Sequence, residues 1–103
     1  MATKTYAGQA VEVNDEGYMV DASQWNKEIA AELAKEEGIE LTDKHYEVLE
    51  FLRNASEKGD TLTIRRVGKS GIIDIKGLYK LFPGGPLKHS SKIAGIAKPA
   101  SCI

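Results

Sequence analysis

Cysteine is nearly absent from this chain: its 103 residues hold one, Cys102. A single cysteine excludes an internal disulfide and any metal site built mainly from thiolates. There are three prolines, two of them in the stretch Pro83-Gly84-Gly85-Pro86, so little interrupts helix formation elsewhere. Aromatic residues make up 7%, which is thin for stacking on single-stranded nucleic acid. The basic C-terminal portion offers only Tyr79 and Phe82, and both fit a helix core better. No apolar run approaches the roughly 18 residues of a membrane span, and the residues after Met1 lack a basic-then-apolar signal pattern. The expected compartment is the cytoplasm, where reducing conditions preserve a free thiol.

Acidic residues run out beyond residue 60. Only Asp74 remains there, against Arg65, Arg66 and six lysines, whereas residues 1–60 carry fourteen acids and six bases. The two portions balance at −8 and +7 within a net charge of −1. Such asymmetry suits an electropositive face that steers an anionic partner. It equally suits an internal match between the two halves. At 42% hydrophobic and 28% charged, the composition is that of one ordinary globular domain.

Hydrophobic spacing predicts a mainly helical fold with a small N-terminal hairpin. Gln9–Val13 alternates, Asn14-Asp15-Glu16-Gly17 supplies turn chemistry, and Tyr18-Met19-Val20 is the expected return strand. Ser23 is the candidate cap of a helix to about Glu37, with Trp25, Ile29, Ala30 and Leu33 on one face and Gly38 as the stop. Glu28, Glu32 and Glu36 line the opposite, solvated side. Thr42 caps the next helix, whose inner stripe is His45, Val48, Leu49 and Leu52, flanked by Phe51 and ended at Gly59. His45 reads as a packed helix residue, and neither histidine has a carboxylate spacing suited to metal. Short helices follow at Ile64–Lys69, Ile75–Phe82 and Leu87–Ala94.

Gly68-Lys69-Ser70 superficially matches the end of a phosphate loop. The glycine required five residues earlier is Thr63, and no buried strand leads in, so a nucleotide site is rejected. No serine-histidine-acid triad follows from spacing. The basic portion, with short helices joined by glycine turns, permits a DNA reader of helix-turn-helix type. Cys102 has two readings. Beyond Pro99 it is a thiol on a short movable arm, whose thiolate fraction Lys92, Lys98 and the basic portion would raise and the nearby α-carboxylate would oppose. Alternatively it is a small hydrophobe docked on the core.

The segment Leu78-Tyr79-Lys80-Leu81-Phe82-Pro83-Gly84-Gly85-Pro86 resembles the DsrC/TusE family. So do Lys92-Ile93-Ala94-Gly95-Ile96-Ala97-Lys98-Pro99 and the terminal Cys102-Ile103. Asp15-Glu16-Gly17-Tyr18, Ser23-Gln24-Trp25 and Glu37-Gly38-Ile39-Glu40-Leu41-Thr42 fit the same layout, so the likeness runs from about residue 8 across nearly the whole chain. It departs at Ala97, where a proline is usual, and in a shorter middle over Ser70–Lys76. The resemblance implies a compact helical bundle with helix-turn-helix-like packing over residues 1–95 and a mobile C-terminal arm over 96–103.

It also implies a sulfur carrier, a relay component of sulfurtransferase type and not a free-standing metabolic enzyme, with no cofactor and no metal. The penultimate cysteine of the family takes sulfane sulfur as a persulfide, and Cys102 matches it. Members working with dissimilatory sulfite reductase have a second cysteine, separated from the first by ten residues. Ser91 stands at that position, which removes disulfide and trisulfide chemistry within the chain. The single-cysteine pattern is similar to TusE, which relays sulfur toward thiolation of the tRNA wobble uridine. Implied partners are a TusBCD/DsrEFH-like donor and a thiolase or sulfite reductase as acceptor or docking partner, with Arg65, Lys69 and Lys98 as candidate contacts. Membranes and DNA are not among them, and the free chain is expected to be a monomer. Two other functions stand beside this one: a sulfite-reductase-associated gamma-type subunit without disulfide cycling, and a DNA-binding regulator using the basic portion.

Overall fold

Helix-compatible sequence dominates the chain and helices dominate the fold. The computed structural model describes residues 2–60 and 62–97. Within them, strands β1 (Ala2–Tyr6) and β2 (Gln9–Val13) precede five α-helices. These are α1 (Lys27–Glu36), α2 (Asp43–Glu57), α3 (Ile64–Gly68), α4 (Ile75–Leu81) and α5 (Pro86–Ile93). No helix among the described residues is long and apolar enough to cross a membrane.

The hairpin is real, but its partner strand is not the expected one. β2 pairs with β1, in antiparallel register from Ala2 opposite Val13 to Tyr6 opposite Gln9. The two-residue turn Ala7-Gly8 has φ of 51° and 76°, the pair of positive values that a tight hairpin turn needs. Asn14–Gly17 does turn the chain, with Asn14 Oδ1 accepting from Glu16 N and Tyr18 N at 3.0 Å each. The residues beyond it make only one bridge, Met19 to Val13. Sequence reading missed β1 because Ala2–Thr5 is exposed and carries no apolar alternation.

The helix caps explain the boundaries. Ser23 is not a helix cap. Asp21 Oδ1 accepts from Ser23 N at 3.0 Å and Ser23 Oγ at 2.6 Å, closing a single 3-10 turn over Ala22–Gln24. These donors hold the Asp21 carboxyl below its usual range. α1 starts three residues later, where Asn26 Oδ1 accepts from Ile29 N at 2.9 Å, so Trp25 precedes the helix rather than riding on it. Thr42 caps α2 as expected: His45 Nδ1 accepts from Thr42 N at 3.1 Å, and its Nε2 lies 3.0 Å from Leu81 O. That pattern places the imidazole proton on Nε2. His45 is buried and meets Phe82 edge-on at 5.1 Å.

The core gathers Val11, Val13 and Met19 from the hairpin region, Ile29 and Leu33 from α1, Val48, Leu49 and Leu52 from α2, and Leu78, Phe82, Leu87 and Ile93 beyond. α1 and α2 both pack on α5, and α3 links α2 to α4. Phe82 is in the core as its sequence context suggested, but Tyr79 is 45% exposed. The acidic row on α1 is not merely solvated. Glu36 Oε1 accepts from Tyr6 Oη at 3.0 Å, and Glu32 accepts from the backbone N–H of Ala7. Together they fasten the hairpin to α1.

Burial, and then the hydrogen bond to Glu36 and the charges of Glu36, Glu32 and Glu37, raise the Tyr6 phenol above its ordinary value of 10.0. A raised folded-state value means the neutral phenol contributes stability that is complete below pH 10 and lost as pH rises further. Tyr6→Phe should therefore be less stable at neutral pH by about 1 kcal/mol, the worth of one hydrogen bond. Its deficit relative to the parent should narrow above pH 10. Urea unfolding of both proteins from pH 7 to 11 checks this, and a constant gap would contradict it.

Candidate functional site

Cys102 and Lys98 lie outside the described residues, so the site is built from what carries them: the end of α5 and the residues Gly95, Ile96 and Ala97. A helix terminus leaves its last carbonyls without helical partners. At α5 two of these are taken by side chains from elsewhere. Trp25 Nε1 donates to Ile93 O at 2.8 Å, and Arg53 Nη1 donates to Ala94 O at 2.8 Å. Arg53 Nη2 also donates to Ala22 O at 3.0 Å, tying the 3-10 turn to the same guanidinium.

The guanidinium carbon sits 4.3 Å from the Trp25 ring centroid, a cation–π stack that fixes both planes. Partial burial lowers the Arg53 pKa, and the charge of Glu57 works against that shift. A guanidinium remains charged under either influence. A cation beside the exposed C-terminal carbonyls of a helix also complements the helix dipole.

Gly95 closes the arrangement. Its φ is +70°, and a Cβ there would lie 2.5 Å from Trp25 Cδ1 and 2.8 Å from Met19 Sδ. Only glycine meets both demands, the left-handed backbone and the contact with indole and thioether. Beyond it, Ile96 N donates to Ser91 O at 3.3 Å. Ile96 is 3% exposed, and Ala97 faces solvent. The described chain is therefore held in place as far as Ile96. A cleft of about 490 Å³ lined by Ser23, Arg53, Glu57 and Ile96 opens beside it.

The other sequence-predicted residues divide. Lys92 was expected to raise the thiolate fraction of Cys102. Its ammonium instead lies 3.1 Å from Glu37 Oε1, so its charge is already matched. His89 Nδ1 lies 3.2 Å from Glu37 Oε2, poorly aligned for a hydrogen bond. Arg65 and Lys69 are exposed and line one cleft of about 460 Å³ with Phe51, Thr63, Arg66 and Ser70. Arg66 is paired to Asp60 at 3.0 Å. Ser91 falls inside α5, fully buried, and its Oγ makes no hydrogen bond among the described residues. Among those residues no cluster of three or more His, Cys, Asp or Glu is placed to hold a metal ion.

Sequence reasoning missed Arg53 altogether and misplaced Trp25. A signal for Arg53 was available. It is the lone cation of α2 beyond Lys44, and it follows Leu49 by four residues on the buried stripe, a position a solvated arginine would not occupy.

The profile of the DsrC like protein family matches residues 5–103. The chain is 38% identical over 111 residues to the sulfurtransferase TusE of Photorhabdus laumondii subsp. laumondii, covering 100% of both. Its fold is similar to DsrC of Allochromatium vinosum, with a TM-score of 0.80 and 32% identity over 98% of this chain and 97% of that one. It is also similar to the oxidized gamma-subunit of the dissimilatory sulfite reductase (DsrC) from Archaeoglobus fulgidus. There the TM-score is 0.82 and the identity 29%, over 99% of this chain and 100% of that one.

Two substitutions test the clamp. Arg53→Ala removes two hydrogen bonds from a charged donor and should destabilise the domain by about 1.5–3 kcal/mol, with no full rescue by Arg53→Lys. The sole tryptophan, Trp25, should report the loss as a red-shifted emission. Gly95→Ala should be costlier than a surface change, by about 2 kcal/mol or more, because strain and overlap act together. Denaturant unfolding with tryptophan fluorescence reads both. Unchanged emission in Arg53→Ala would mean that the stack does not persist in solution.

Proposed function

The chain belongs to the DsrC-like protein family of sulfur-relay proteins, and we propose that Cys102 is the residue on which it carries sulfur. Whole-length similarity to a sulfurtransferase TusE, in a chain whose only thiol is Cys102, is the observation that carries this reading. The Cys102 thiolate attacks the outer sulfur of a donor persulfide. A new S–S bond forms on Cys102, the donor's S–S bond breaks, and the donor departs as a thiolate. The sulfane sulfur moves with its proton and no external oxidant is needed. Passing it on repeats the exchange with an acceptor thiolate attacking Cys102–S–SH.

An ordinary thiol, with a pKa of about 8.5, is only a few per cent ionised at neutral pH. Lys92 is occupied by Glu37, which leaves activation to the partner's active site and to Lys98. Cys102 is the fifth residue after Ala97, so the sulfur works within about 18 Å of the clamped root, the reach of five extended chain steps. Residues 1–95 then serve as the body that presents an arm, 96–103. The working compartment is the cytoplasm.

Partners on this reading are a TusBCD/DsrEFH-like donor and a tRNA thiolase as acceptor, with Arg65, Lys69 and Lys98 as contacts. The reading as a sulfite-reductase-associated subunit draws on the likeness to DsrC structures. Serine at position 91 and the single thiol favour the TusE type. The relatives give no support to the DNA-regulator reading.

Incubation with a sulfurtransferase and its sulfur source should add about 32 Da, one sulfur, to the intact mass at Cys102. Cys102→Ser should show no gain while unfolding within about 0.5 kcal/mol of the parent, as a change away from the core does. In the native protein Cys102 should alkylate at nearly the rate of an unfolded control. A thiol that reacts only in denaturant, or a serine variant that still transfers sulfur, would refute the assignment.

A further inference from the structure

The surface made by α3 and α4 differs from the rest of the molecule. Ile75 and Tyr79 are two of the three large hydrophobic side chains exposed among the described residues, at 43% and 45%. Four residues apart, they form one exposed stripe on α4. The stripe abuts α3, because a Cβ on Gly68 would lie 2.6 Å from Ile75 Cγ1. Arg65 and Lys69, also four apart, line the cleft on α3 over Phe51. Lys76 and Lys80 continue the positive charge along α4, and all four cations are exposed. None of the four has a carboxylate within salt-bridge distance among the described residues. Asp74, the acid of this segment, caps α4 through Gly77 N.

The surface is held in shape from below. Ser70 Oγ donates to Val67 O at 2.6 Å and accepts from Ile72 N at 3.2 Å. Lys44 Nζ donates to Ile72 O at 3.1 Å. The turn between α3 and α4 is therefore ordered, and the apolar stripe keeps its place among the cations.

We propose that the α3–α4 surface is the docking face for the sulfur-donating protein, which presents carboxylates around an apolar socket for Ile75 and Tyr79. The proposal rests on the carrier reading and extends its contacts at Arg65 and Lys69 into a surface with an apolar centre. Charge complementarity selects an acidic partner and speeds encounter. The aliphatic and aromatic centre selects a protein over a nucleic acid, since buried aromatic anchors within a polar rim are the anatomy of protein interfaces. A phosphate backbone would use the rim and leave the stripe in water.

Two sulfur sources separate docking from chemistry. Inorganic polysulfide loads Cys102 without a protein contact, whereas a persulfide-loaded TusBCD-type complex, the donor proposed above, requires one. Tyr79→Asp and, independently, Arg65→Glu/Lys69→Glu change exposed residues and should leave folding and polysulfide loading unchanged. Each should slow transfer from the donor by about tenfold or more, the scale of a lost interface anchor. The parent rate should also fall as ionic strength rises. Donor transfer at the parent rate in both variants would overturn the surface while sparing the carrier reading, as would a parent chain loaded by polysulfide but not by the donor. A chain loaded by neither source would refute the carrier reading, and the surface with it. Binding of tRNA or duplex DNA that is lost in Arg65→Glu/Lys69→Glu but kept in Tyr79→Asp would put nucleic acid in the protein's place and overturn the proposal.

Discussion

The C-terminal carbonyls of α5 are the constraint on which the rest of the molecule depends. In a small domain a helix ending against other elements must find donors for its last carbonyls, because unpaired polar groups there are expensive. Trp25 and Arg53 supply them, one from the loop before α1 and one from the buried side of α2. The same guanidinium holds the 3-10 turn, and Gly95 lies against both Trp25 and Met19. The hairpin extension, the turn, α2 and α5 therefore meet at one place. That place is the end of α5, from which the described residues run on to Ala97.

The opposed charges of the two portions resolve into two uses. Some of the charge is matched internally: Glu37 with Lys92, Asp60 with Arg66, Lys44 with Glu47. Some of the acid excess on α1 is directed at neutral donors, where Glu32 and Glu36 hold the hairpin. Beyond residue 60, four of the described cations without a carboxylate partner, Arg65, Lys69, Lys76 and Lys80, lie on or at the ends of α3 and α4. Net charge alone could not distinguish these uses, because −8 and +7 are equally compatible with internal pairing and with a displayed face. Side-chain placement makes the distinction. It also shows the Lys92 ammonium held by Glu37.

How much was legible in the sequence follows from how local each signal is. The α2 cap at Thr42, the starts and stops of α3, α4 and α5 to within one residue, and the buried stripe of α2 are set by neighbours within four residues, and each was readable. β1 was not, since it is a polar strand whose pairing is its only distinction. Ser23 was misread because Asp21, two residues earlier, captures its hydroxyl and N–H and closes a separate turn. Tyr79 sits at a position equally suited to a core or an exposed stripe, and only the angle of α4 on α3 decides between them. The thiol was plain from its isolation. The clamp at the end of α5 joins residues 28 to 68 apart in sequence, beyond what spacing can show.

Ser91 bears on why one cysteine suffices here. Its side chain is fully buried in α5, and its hydroxyl makes no hydrogen bond among the described residues. A buried hydroxyl without a partner is unfavourable by about 1–3 kcal/mol. A thiol, a small hydrophobe with a weak donor, carries less of that penalty. On hydrogen-bonding grounds alone the position suits cysteine better. Serine in this slot therefore gains nothing in stability. It leaves the chain with one thiol, so no disulfide can form within it. On the proposed carrier reading, sulfur taken up by the one thiol then leaves only to a partner's thiol, which an exposed docking face would serve.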